Sequence, residues 1–115
     1  MIINETIIQA VTPIVPICVP DSHEGEEKEY CTFNYNARGE LFADDLPEAI
    51  VYDVQLHYFL PAGKDPRPVL KRLCRALSDA DMTWPVITPA GDEDGQHYVL
   101  ECEWSGGVPD AGDQL

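Results

Sequence analysis

Residues Ile50–Leu60 read IVYDVQLHYFL, and their alternation decides the fold class. Ile50, Tyr52, Val54, Leu56, Tyr58 and Leu60 share one face of an extended chain, while Asp53, Gln55 and His57 lie on the other. Such a strand is buried on one side only, the usual condition of an antiparallel sheet. Pro61-Ala62-Gly63 ends it. Asp65 is then placed to cap a helix beginning at Pro66, where a missing N–H costs nothing.

Downstream, Val69, Leu70, Leu73, Cys74, Leu77 and Ala80 form an apolar stripe at helical spacing, so the sequence predicts a helix over Pro66–Ala80. Arg67, Lys71, Arg72 and Arg75 occupy the remaining surface and should point outward. Trp84–Thr88 and His97–Trp104 read as two further strands joined by the turn-rich Ala90–Gln96. Tyr98, Leu100, Cys102 and Trp104 face inward in the second of these. Residues 105–115, SGGVPDAGDQL, have little to bury and are expected to be a disordered tail behind a single domain spanning 1–104.

Upstream, Tyr30–Tyr35 predicts a strand with Cys31, Phe33 and Tyr35 on one face and Tyr30, Thr32 and Asn34 on the other. Asn36–Ala49 is polar and turn-rich, and reads as a long loop carrying Asp44 and Asp45. Asp21–Glu29, DSHEGEEKE, is an exposed loop. Ile14–Pro20 is an edge strand or extended connector, because Pro16 cannot donate to a ladder. Ile3, Ile7, Val11 and Ile14 recur at helical spacing, which predicts a short amphipathic helix over residues 3–12. The sum is α+β: a largely antiparallel sheet of about four to five strands with two helices packed on one face.

Composition narrows the function classes. The 115 residues suit one domain with a single core. The net charge of −14 repels phosphate backbones, so nucleic acid is not an expected partner. No apolar run reaches the roughly 20 residues that span a bilayer. The N-terminal MIINETII lacks a basic signal-peptide region, which predicts a cytoplasmic protein. Five of the seven basic residues, Lys64, Arg67, Lys71, Arg72 and Arg75, are crowded into one segment. That segregation suits either a solvated helix face or a contact with an acidic surface, including another copy of the chain.

Candidate chemistry is thin. Cys18, Cys31, Cys74 and Cys102 form no CxxC pair and read as reduced packing residues. Asp92-Glu93-Asp94-Gly95 has the carboxylates of a cation loop but lacks the EF-hand spacing, and Asp-Gly in a hairpin turn accounts for it. His57 and His97 titrate in the right range for acid–base work, yet no nucleophile motif accompanies them. Asp53 and His57 lie about 13 Å apart along a strand, too far to pair. No catalytic group, metal site or cofactor is expected.

Phe33-Asn34-Tyr35, Phe42-Ala43-Asp44-Asp45, Val54-Gln55-Leu56-His57-Tyr58-Phe59, Thr83-Trp84-Pro85 and Asp92–Tyr98 together resemble small tail proteins of tailed phages and prophages. The layout is most similar to the tail terminator, or tail completion, family of long-tailed phages. The resemblance covers about Ile2–Trp104 and implies a non-enzymatic subunit of a homo-oligomeric, usually hexameric, ring. Such a ring caps the tail tube and offers a surface to head–tail connector proteins. It assembles in the bacterial host cytoplasm and ends in the virion tail. A connector or another minor tail protein shares this size and element order. A small metal-dependent hydrolase using Asp92–Asp94 with His97 is a weaker reading, as is a stand-alone acidic binding module. For a ring, Arg67, Lys71, Arg72 and Arg75 are expected to meet Asp44, Asp45, Asp92, Glu93 and Asp94 of a neighbour.

Overall fold

The computed structural model describes residues 3–43 and 46–107, with backbone alone for 40–43, 46–48 and 106–107. Two helices, α1 (Ile3–Val11) and α2 (Arg67–Asp79), accompany five strands: β1 (Cys18–Pro20), β2 (Tyr30–Ala43), β3 (Leu46–Leu60), β4 (Val86–Pro89) and β5 (Gln96–Gly107). They form one sheet in the order β1-β2-β3-β5-β4. All pairings are antiparallel except that of β1 with β2. The fold is the expected α+β, with a mixed sheet.

The alternation of β3 places it at the sheet centre, buried as read: Ile50, Tyr52, Val54, Leu56, Tyr58 and Leu60 all lie in the core. Ile3, Ile7 and Val11 of α1 and Leu70, Leu73, Cys74 and Leu77 of α2 complete it, so both helices cover the same face. Tyr35 Oη donates to Asn4 Oδ1 at 2.5 Å and ties β2 to α1. α2 starts one residue later than expected, so Pro66 rather than Asp65 is the N-cap and no side chain caps it. Asp65 Oδ1, one residue further out, accepts the Arg67 N–H at 3.1 Å. At the far end, Asp81 is left-handed (φ 68°) and donates to Ser78 O, while Met82 N–H donates to Leu77 O at 3.0 Å. This is a Schellman stop built on an aspartate rather than glycine.

Three boundaries differ from expectation. The predicted loop Asn36–Ala49 is a continuation of β2 and β3, paired as far as Ala43↔Leu46. Its small residues are not turn formers here: Ala37 and Gly39 stand opposite the bulky Tyr52 and Ile50. Cross-strand fit outweighs their weak intrinsic strand preference. Pro47 lies beyond the last β3–β5 pair among the described residues, where a strand has one partner and tolerates proline. The two long strands extend the molecule to 53 Å in its longest dimension.

The second difference is that β4 starts at Val86, two residues after the expected Trp84. The third concerns the expected tail, whose first residues Ser105–Gly107 continue β5 and pair with Val51 and Ile50; residues 108–115 lie outside the described residues.

All four cysteines are buried and unbridged. Burial pushes the thiols of Cys18 and Cys102 up to about 12 and about 11, and raises those of Cys31 and Cys74 as well. They are packing groups with little thiolate character.

Candidate functional site

The helices leave one face of the sheet open, and parity decides which side chains stand on it. From β2 come Tyr30, Thr32, Asn34 and Arg38; from β3, Asp53, His57 and Phe59; from β5, His97, Glu101 and Glu103. Two clusters result.

Toward one end, Asp53 and Glu103 are direct cross-strand partners, an unfavourable like-charge pair on its own. Arg38 resolves it, with Nε donating to Asp53 Oδ2 and an Nη to Glu103 Oε1, each at 2.9 Å. All three are well exposed, so the bond sets local geometry more than stability.

Toward the other end, aromatic rings stack across three strands. Tyr30 lies on Phe59 at 4.7 Å between centroids, and Phe59 on His97 at 4.1 Å. His23, from the Asp21–Glu29 loop, closes the row against Tyr30 at 4.8 Å. His57 Nδ1 and His97 Nε2 are 2.8 Å apart, and Asn34 Nδ2 is 3.3 Å from His57 Nε2. One assignment satisfies all three groups: Asn34 donates to His57 Nε2, and His57 Nδ1–H donates to His97 Nε2.

Burial lowers both imidazoles, and His57 is lowered further by the neighbouring His97; Glu101 beside His57 and Asp92 beside His97 act in the opposite sense. The folded chain therefore binds fewer protons here than the unfolded chain, whose histidines titrate near 6.5. This contribution is complete above that value and declines as pH falls through it toward the lower folded values. Urea melts should show stability falling from about pH 7 downward, and His97→Gln should flatten that limb. The lowered carboxylates Glu27 and Glu29 act in a separate window, below their ordinary 4.5.

Glu29 has a structural task. Burial raises its carboxyl, but bonds from Lys64 Nζ at 2.6 Å and from the Tyr58 hydroxyl outweigh this and leave it lowered. The base of the acidic loop is thereby anchored to the central strand.

The expected interface residues separate onto two sides. Lys71, Arg72 and Arg75 are exposed on the outer surface of α2, without an ion pair among the described residues. Arg67 is not available in the same way, since its guanidinium forks onto its own Asp65 with both contacts at 2.9 Å. Asp92, Glu93 and Asp94 are exposed in the β4–β5 loop, where Asp92 Oδ1 accepts the Asp94 N–H at 2.9 Å. That is an Asx turn built on the Asp92 side chain; neither Asp94 nor Gly95 takes a positive φ, so the expected Asp-Gly turn is not what shapes the loop. Asp44 and Asp45 lie outside the described residues. Among the described residues, no three His, Cys, Asp or Glu side chains converge on a metal-sized point.

Two features were not read from sequence. The His57–His97 contact is diagonal, with His57 opposite Val99 and His97 opposite Phe59, and only the β3–β5 register creates it. Trp84, Val86 and Ile87, 58%, 68% and 38% exposed, gather at one free sheet edge. In comparisons of the sequence with known proteins, no family model matches the chain and no curated protein matches it significantly.

Proposed function

We propose that this chain is a structural ring subunit of the tail-terminator type, which acts by fitting against copies of itself, against a tail tube and against head–tail connector proteins. The observation that carries the reading is charge left unsatisfied. In a chain with 21 acidic and 7 basic residues, most cations should find a carboxylate within their own fold. Arg38, Lys64 and Arg67 do so, and Lys28 stands singly among the carboxylates of its own acidic loop. Lys71, Arg72 and Arg75 instead stand in a group on α2, on the side opposite the acidic open face. A molecule basic on one side and acidic on the other can repeat head to tail, and such heterologous contacts form a ring where the rotation between neighbours closes and a filament where it does not.

The exposed apolar edge at Trp84, Val86 and Ile87 supplies the kind of surface that subunit contacts bury. The resemblance in Phe33–Tyr35, Val54–Phe59 and Asp92–Tyr98 supplies the tail-specific part of the reading, including the tube and connector partners. No residue is assigned a catalytic role.

Negative-stain electron microscopy of the purified chain, alone and with tail tubes, tests this. Rings are expected, seated at one end of each tube. A chain that remains monomeric and leaves tube ends bare overturns the reading.

A further inference from the structure

At the aromatic end of the open face, a cavity of about 570 Å³ lies between residues 25–28 and residues 90–95. Its floor is the ring row of Tyr30, Phe59 and His97. Glu26, Glu27, Asp92 and Asp94 line its rim, with Lys28 as the single fixed cation. Glu27 is already engaged with His23 at 3.1 Å, and Asp92 accepts from its own loop; the Asp94 and Glu26 carboxylates keep the most acceptor capacity.

An occupant matching both parts needs an apolar stem to cover ring surface and a terminal cation with several donors. Arginine has this form: three methylenes, then a planar head with five N–H groups suited to carboxylates. A lysine ammonium is a compact, more strongly hydrated charge and gains less from several dispersed carboxylates. The chain's own α2 lies on the opposite face of the sheet, and none of its residues lines the cavity. Arg38, the guanidinium on the open face itself, is held by Asp53 and Glu103, so an arginine entering the cavity comes from another molecule. Arg72 and Arg75 are the two guanidinium groups of α2 without an ion pair among the described residues.

We propose that this cavity is a socket for an α2 guanidinium, Arg72 or Arg75, of a second copy of the chain. The proposal rests on the ring reading and specifies its contact. Each subunit inserts that one guanidinium into the next subunit's socket, and the ring forms where the rotation of this repeated contact closes. The aromatic floor excludes water beneath the charge pair, which strengthens it relative to a rim contact.

The test is a charge swap read by light scattering across a concentration series. Glu26→Arg with Asp94→Arg should raise the concentration at which assemblies form by about tenfold or more, with an unchanged circular-dichroism melt. Adding Arg72→Glu and Arg75→Glu to that same chain should restore assembly, since both sides are then reversed. In the unassembled Arg72→Glu/Arg75→Glu chain, N-acetyl-argininamide should shift the Phe59 and His97 ring resonances, and its neutral citrulline analogue should not. Assembly that survives Glu26→Arg/Asp94→Arg overturns the socket and leaves the ring reading standing. So does failure of the combined swap to restore assembly, or equal shifts from the two amides. A wild-type chain that never exceeds monomer mass overturns both.

Discussion

Leu56→Ala is expected to remove about 2–5 kcal/mol of unfolding free energy, measured by urea denaturation with an unchanged slope. Leu56 has no exposed surface and sits on β3, the middle of five strands. Phe33 on β2 and Leu100 on β5 flank it in register, and both are themselves fully buried. Truncation therefore opens a void walled by side chains pinned in a ladder, which leaves little scope for collapse. A single small domain holds about 5–15 kcal/mol in total, so the loss is a large fraction of the whole. Gln55→Ala, one residue earlier on the open face, should move stability by no more than about 0.5 kcal/mol. A loss for Leu56→Ala no larger than that control would contradict the central placement of β3.

Reversing Lys71, Arg72 and Arg75 together to Glu is expected to abolish assembly while leaving the monomer's thermal midpoint in place. The three side chains project from the outer surface of α2 and hold nothing within the described fold, so their loss costs the subunit little. In an interface the same changes turn three attractions into three repulsions. At about tenfold per contact, association weakens on the order of a thousandfold. Raising salt should mimic a part of this in the wild-type chain, because contacts at the rim are screened. Oligomer mass by light scattering at matched concentrations decides it: unchanged mass in the triple variant removes α2 from the interface.

The contrast between these two variants follows how each element was legible. Ile50–Leu60 could be read residue by residue, because alternation over that length matches only one secondary structure and one buried face. The α2 stripe was equally plain, and so was the outward placement of its cations. The hairpin extension was not. Gly39 and Pro47 carry turn-forming preferences and Ala37 a weak strand preference, and only the opposing Tyr52 and Ile50 show that small side chains are what the sheet requires at 37 and 39. Cys18 was read with the other cysteines as a packing residue, but only its parallel pairing with Cys31 shows where it packs.

Local order was thus written in the chain: element types, the core face of each, the turn role of Asp92–Gly95, and a charge distribution that sets the basic side apart. These properties depend on residues close in sequence, for which periodicity and turn chemistry suffice. Tertiary structure decided what stands beside what. Strand register joined His57 to His97, threaded Arg38 between Asp53 and Glu103, and aligned Tyr30, Phe59 and His97 into one row beneath two acidic loops. Alternation fixes which side chains reach the open face, since a slip of one residue would turn the apolar set outward. A slip of two keeps every side chain on its face yet parts these partners, and alternation alone does not distinguish those registers.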